Sequence, residues 1–302
     1  MKIATYNVRN LYDAGTVISP EEGNTVNESF FNERVKYFVE KFRVLDLDII
    51  CLQEIGGEKG ISLIGDTLGY NYFFAKPNSR GIRVAVLYKK ELSEKIKCES
   101  VYLGDLFIPS ILERGDTSSL SPLSQRRDVL VVDVDDFHGK KLRVVTFHLK
   151  SLLPEFLEGE DKENDSKSFT EAKLRSIFYK MMELRGLREF VDKSLNEEME
   201  MILLGDFNEN NNSSVLEILK SSSKEEKILW DTLTTYTGDK ATHIHRGSRN
   251  TFDTILISQN MKEYFDSVRV ENSELKDYSM LERGGIENIV EPDHAMVALT
   301  LK

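Results

Sequence analysis

Six short apolar runs, "KIATYNV", "DIICLQE", "LRVVTFHL", "MILLGDFN", "TFDTILIS" and "HAMVALTLK", punctuate the chain from residue 2 to its last residue. Each is apolar, most carry β-branched residues, and all are too short for a helix, so each reads as a buried strand. Between them lie stretches with helical rather than alternating periodicity. Phe31, Val35, Phe38, Phe42 and Leu45 fall on one helical face over 30–45, and Leu174, Ile177, Phe178, Met181, Leu184 and Val191 form a second stripe from 171 onward. Strands separated by amphipathic helices restrict the chain to an α/β architecture in which the helices cover sheet faces.

The rest of the chain fits that frame. The opening strand covers 2–8, and "GYNYFFAKP" and "GIRVAVLYKK" supply two strands joined by a polar turn. "DVLVVDVDDFHGKKLRVVTFHLKS" reads as a hairpin around "DDFHGKK". Residues 153–169 are acidic and poor in apolar side chains, which predicts a solvated loop, with Lys173, Arg175, Lys180, Arg185 and Arg188 mostly off the apolar stripe that follows. Ser214 and Glu217 have the spacing of a capping box before "VLEILK". No repeat or linker divides the chain, so one α/β domain with two sheets over residues 1–302 is the economical expectation.

Composition narrows the function classes. The 51 acidic and 40 basic residues give a net charge of −11, so a polyanion has to be met by a local basic patch or a bound cation. Cys51 and Cys98 are the only cysteines; Cys51 lies in an apolar run and reads as a buried free thiol, which rules out a disulfide framework. No segment approaches the roughly 20 apolar residues of a membrane span. As written the chain reads as cytoplasmic, and as secreted only if a leader preceded residue 1.

Several strands end on groups suited to a divalent cation or a phosphate: Asn7, Glu54, His148, Asp206 with Asn208, Asp253, and Asp293 with His294. Taken singly, each has an ordinary explanation as a turn cap, a solvated acid or a satisfied core histidine. Brought to one edge, they make a coherent site.

In their order, "TYNVRNL", "ICLQEI", "VVTFHLKS", "LLGDFNEN", "FDTILIS" and "EPDHAMV" resemble the motif series of the endonuclease/exonuclease/phosphatase superfamily, over residues 5 to 297. The resemblance implies a four-layered α/β sandwich: two mixed β-sheets packed face to face, helices outside, and an active site at one edge. It implies Mg²⁺, with Mn²⁺ able to substitute. Mg²⁺ prefers oxygen ligands, so Glu54 is the first choice as ligand, with Asn7 and Asp293 assisting. By the same resemblance His294 is the general base, oriented by Asp253, while Asp206 and Asn208 hold phosphate and water or a second metal.

His148 marks the branch. Its counterpart in deoxyribonuclease I and in many bacterial nucleases of the family contributes to phosphate binding and to protonation of the leaving oxygen, whereas the abasic-site endonucleases generally lack it. Deoxyribonuclease I pairs that histidine with a glutamate, and no such partner stands in "FFAKPNSRGIRVAVLY". Arg126 or Arg127 occupies the place of a phosphate-contacting arginine. His243 and His245 read as part of a surface loop, with Arg246 and Arg249 near enough in sequence to meet a nucleic-acid backbone.

The expectation is a metal-dependent phosphodiesterase acting on nucleic acid, DNA foremost, as an endonuclease or exonuclease. A phosphatase or phospholipid phosphodiesterase of the same superfamily is the alternative. A catalytically inactive binding module ranks last, because Glu54, Asp206, Asp253, Asp293 and His294 are all retained.

Overall fold

A computed structural model of the protein describes residues 1–19, 24–109, 120–124, 127–162, 164–221, 223, 226–279 and 289–302. Twelve strands build two six-stranded sheets. In chain order they are β1 (Lys2–Leu11), β2 (Ile49–Ile55), β3 (Tyr70–Phe74), β4 (Arg83–Lys89), β5 (Ile96–Val101), β6 (Val129–Phe137), β7 (Lys140–His148), β8 (Glu200–Asp206), β9 (Leu229–Asp231), β10 (Asp253–Ser258), β11 (Phe265–Glu271) and β12 (Met296–Leu301). The first sheet runs β11-β12-β1-β2-β4-β3 and the second β9-β10-β8-β7-β6-β5.

Each sheet is mixed for the same reason. β1 lies parallel to β2, and β7 parallel to β8, while their other neighbours are antiparallel. A parallel pair needs a long crossover, and a helix supplies it in both cases. These are α1 (Glu28–Leu45) between β1 and β2, and α3 (Ser166–Asn196) between β7 and β8. Asn27 caps α1 by accepting from the Ser29 N–H at 2.7 Å, and Asp165 caps α3 by accepting from Lys167 N–H at 3.0 Å.

Alternation along the strands sorts side chains into three layers of contact. Ile3, Cys51 and Val86 of the first sheet meet Val132, Ile202 and Ile255 of the second in a central core. The other face of the first sheet packs Tyr6 and Leu52 against Phe38 and Phe42 of α1 and against Ile64 of α2 (Lys59–Leu68). The other face of the second sheet packs Phe147 and Leu203 against Leu184, Leu187 and Val191 of α3. The result is the four-layered α/β sandwich, with about 1.5–3 kcal/mol gained for each large apolar side chain fully buried. Cys51 is buried and free, as its apolar run predicts.

Two local expectations are corrected. The acidic stretch before α3 is not a solvated loop throughout, and α3 itself begins at Ser166. Glu155 N–H donates to Ala172 at 3.0 Å, and Glu160 forms an ion pair with Arg175 in which both side chains are buried. Charge here reflects internal pairing rather than solvation, so Arg175 and Lys180 are 3% and 0% exposed while Leu174 and Ile177 of the supposed apolar stripe are 39% and 38% exposed. The residue that caps the turn before "VLEILK" is Ser213, which accepts from Val215 N–H at 3.2 Å. Glu217 is drawn to Ser221 and Lys227 instead. Among the described residues, no helix is long and apolar enough to cross a membrane.

Candidate active site

Strand register assembles the second sheet's half of the site. His148 pairs with Asp206, and Asp206 with Asp253, so three polar side chains stand side by side at the ends of β7, β8 and β10. Gly205 makes the row possible. A Cβ at that position would lie 2.2 Å from the Phe147 carbonyl oxygen, closer than any side chain tolerates.

The first sheet's half comes from β1 and β2. Asn7 pairs in register with Gln53, which places Glu54 one step beyond, where the chain takes the left-handed conformation with φ of 64°. Asn7 Nδ2 donates to Glu54 Oε1 at 3.1 Å and to Asp206 Oδ2 at 2.9 Å, and so ties the two sheets together. Its Oδ1 accepts from the Arg9 N–H at 3.0 Å. In this orientation Asn7 positions carboxylates; as a ligand it would have to present Oδ1. One layer deeper, Gln53 donates to Thr146 at 3.1 Å and accepts from Thr5 at 3.3 Å, a buried link between sheets that no motif announces.

His294 enters from the segment before β12. Its backbone bridges to His243, and its Nδ1 lies 2.7 Å from Asp253 Oδ2, which leaves Nε2 3.9 Å from Asp206 Oδ2. Burial opposes charge on this imidazole, yet Asp253 and Asp206 outweigh burial and hold its pKa well above the ordinary value. His148 behaves oppositely. Burial, then the charges of Arg127 and His294 among others, push it well below the ordinary value, so it is neutral near pH 7. Its Nε2 accepts from Asn208 Nδ2 at 2.9 Å, and its Nδ1 is buried without a protein partner among the described residues. The missing glutamate is explained by the segment expected to supply it, which delivers Arg80 to the cleft instead.

The turn after β8 is held from several sides. Asn208, at φ of 49°, donates from its N–H to Asp206 Oδ1 at 2.7 Å, and its Nδ2 also reaches the Leu149 carbonyl at 3.0 Å. The fully buried Lys180 of α3 donates to the Asn208 carbonyl and stands 3.4 Å from Glu209. Asp293 is half-buried and lines the same cleft of about 800 Å³, as does Arg127, whose guanidinium donates to the His148 carbonyl at 3.1 Å. Arg126 lies outside the described residues. His243 is more than loop surface. It begins a two-stranded ribbon, His243–His245 with Ser248–Asn250, stacks on Phe252 at 5.2 Å between centroids, and approaches the His294 ring at 4.8 Å.

The donor set fits a divalent cation. Glu54, His148 and Asp206 offer atoms within 4.8 Å of one another, as do Asp206, Asp253 and His294. Glu54 is pushed upward by burial and by Asp293, Asp206 by burial and by Asp253 although His294 opposes it, and Asp253 Oδ1 is buried with no partner among the described residues. Crowded, dehydrated carboxylates of this kind are the hard oxygen donors that Mg²⁺ or Mn²⁺ takes.

A sandwich whose two sheets close over an edge of carboxylates and imidazoles defines a class of phosphoester hydrolases. The chain belongs to the endonuclease/exonuclease/phosphatase family, whose model matches residues 4–274. No curated protein matches it. The fold is shared with a Neisseria 3′ phosphatase, NExo, solved with a product DNA hairpin, at 17% identity and a TM-score of 0.57 over 100% of this chain and 99% of that one. It is shared as well with a humanized D. rerio TDP2, at 15% identity and 0.57 over 100% and 98%, and with a Bacteroides thetaiotaomicron mannosyl-6-phosphatase, at 15% and 0.54 over 100% and 99%.

Proposed function

We propose that the protein is a divalent-metal-dependent phosphodiesterase that hydrolyses nucleic acid, DNA foremost. The observation that supports this best is the juxtaposition of the Asp253–His294 pair with Glu54 and the in-register row of His148 and Asp206. Structures of two proteins sharing the fold, NExo and a D. rerio TDP2, contain product DNA, which is consistent with such a substrate. Glu54 and Asp206, with Asp293 at the cleft, would hold the cation, and buried Asn7 would orient both carboxylates through Nδ2, joining as a ligand only by turning Oδ1 toward the ion. When bound, it offsets charge on the phosphoryl oxygens and polarises the phosphorus for attack.

The chain's own groups supply the remaining steps. Asp253 fixes the His294 ring through Nδ1 and leaves Nε2 to take a proton from the attacking water. Burial opposes charge on His294, but Asp253 and then Asp206 hold it protonated, so it loses the proton more easily once the charge of Asp206 is offset. Neutral His148 carries its proton on Nδ1, with Nε2 accepting from Asn208, and Asn208 would donate to a phosphoryl oxygen by giving up one of its two contacts, to His148 or to the Leu149 carbonyl. The backbone of Asn208 is fixed by its N–H to Asp206 and by Lys180 on its carbonyl, which keeps the side chain at the cleft.

The test is purified protein against supercoiled plasmid, linear duplex, single-stranded DNA and RNA, with Mg²⁺ or with chelator. Metal-dependent cleavage is expected, reduced roughly 10²–10⁴-fold in His294→Ala and lost in Glu54→Ala. Nicked plasmid would identify an endonuclease and progressive shortening an exonuclease. Phosphate release from monoesters without cleavage of any polymer would refute the reading in favour of a phosphatase.

A further inference from the structure

Two clefts meet at Arg80 and Arg127. One is the active-site cleft; the other, of about 320 Å³, continues past the two guanidiniums along Asn78, Lys150, Ser151 and Glu183. Arg80 stands on a tight turn built for its display. Asn78 Oδ1 accepts from the N–H groups of Arg80 at 2.9 Å and Ile82 at 3.0 Å, and Gly81, at φ of 77°, donates to the Asn78 carbonyl at 2.9 Å.

The charge arrangement is unusual for a chain of net charge −11. The carboxylates beside the second cleft are already engaged: Glu183 accepts from the Lys150 N–H at 2.7 Å, and Glu155 lies 3.4 Å from Lys150 Nζ. Neither Arg80 nor Arg127 forms an ion pair among the described residues; burial acts most strongly against the Arg127 guanidinium, Glu183, Glu54 and Asp206 favour it from a distance, and the charge of Arg80 opposes it. Two cations that repel one another across a concave surface, in an acidic protein, are arranged for an anion between them.

We infer that Arg80 and Arg127 form a second anion subsite, which takes the phosphate adjacent to the one being cleaved. Arg127 touches the His148 carbonyl, so an anion held there is a near neighbour of one at Glu54 and His148. The protein then reads consecutive phosphates along a strand rather than an isolated phosphoester. This rests on the phosphodiesterase reading above.

The experiment compares three substrates in Mg²⁺: a dinucleotide with a single phosphodiester, and the same dinucleotide carrying an added phosphate at its 5′ or its 3′ end. The readout is the ratio of kcat/KM with and without the added phosphate, in wild type and in Arg80→Gln, whose exposed position permits folding and whose melting curve verifies it. The wild-type ratio for one of the two ends is expected to exceed about tenfold, the effect of a charge-assisted hydrogen bond, and to fall close to unity in Arg80→Gln. A wild-type ratio near unity at both ends, or a ratio unchanged by the substitution, overturns the inference and leaves the phosphodiesterase reading standing. If no diester is hydrolysed, that reading fails, and the subsite is judged by fluorescence anisotropy of a labelled tetranucleotide in chelator. About tenfold weaker binding by Arg80→Gln would uphold it, and unchanged binding would reject it.

Discussion

His243 sits between an aromatic ring and a charged imidazole. Burial first, then the positive charge of His294, push its pKa down to about 4. A histidine depressed in the folded state gives stability that is present above its unfolded value near 6.5 and is lost as pH falls toward 4, because the unfolded chain binds the proton first. His294 has the opposite sign: its raised pKa gives stability present below about 6.5 and lost only at higher pH. Between pH 6.5 and 4 the acid loss of metal-free stability is carried in part by His243 and His148, and at lower pH Asp277, Glu217 and Glu274, held down by their hydrogen-bond partners, add to it. His243→Phe keeps a ring over Phe252 and removes one titration, so between pH 6.5 and 4 its unfolding free energy should fall by about 1–3 kcal/mol less than that of the wild type. Denaturant unfolding at the two pH values measures this, and identical slopes would remove His243 from the account.

At the scale of elements, the site depends on how closely β7 and β8 approach. Gly205→Ala would drive a methyl group into the Phe147 carbonyl. A cost of about 2–4 kcal/mol is expected, with loss of turnover, since Asp206 and His148 flank the clash; an unchanged melting temperature would show that the strands yield more easily than this. Most elements were legible in the sequence because their apolar periods are clean. The polar supports were not. Lys180, Arg175 and Glu160 look like surface charge until α3 folds over the turn after β8, and ion pairing inside a helix layer leaves no periodic trace. Gln53 and Thr146 are similarly silent, because a hydrogen bond between sheets joins residues 93 apart in sequence. His243 was visible as a residue in "ATHIH", but its backbone bridge to His294, in the segment before β12, is a tertiary event. Arg80 filled the place where an acid was sought, and its charge adds to burial, Arg127 and His294 in keeping His148 neutral.

For the molecule as a whole, the edge where both sheets end gathers Glu54, Asp206, Asp253 and Asp293 in a chain already rich in acid. Folding without a cation forces those charges together, so Glu54→Gln in chelator should be no less stable than the wild type, and by up to about 1 kcal/mol more stable. Mg²⁺ should raise the wild-type melting temperature by mass action and should shift that of the variant little. A variant that melts lower in chelator and still responds fully to Mg²⁺ would contradict the assignment of Glu54 as a ligand. The position of β12 has a further result. It is inserted between β11 and β1, and its residues 297–300 pair with 2–5, so opposite ends of the chain must meet before His294 faces Asp253. Such distant pairing forms late. The site is therefore complete only once residues 297–300 have joined β1 and brought His294 to Asp253. For the proposed activity, a chain truncated before His294 should show no hydrolysis in Mg²⁺, and a chain extended through Leu301 should regain it together with cooperative unfolding.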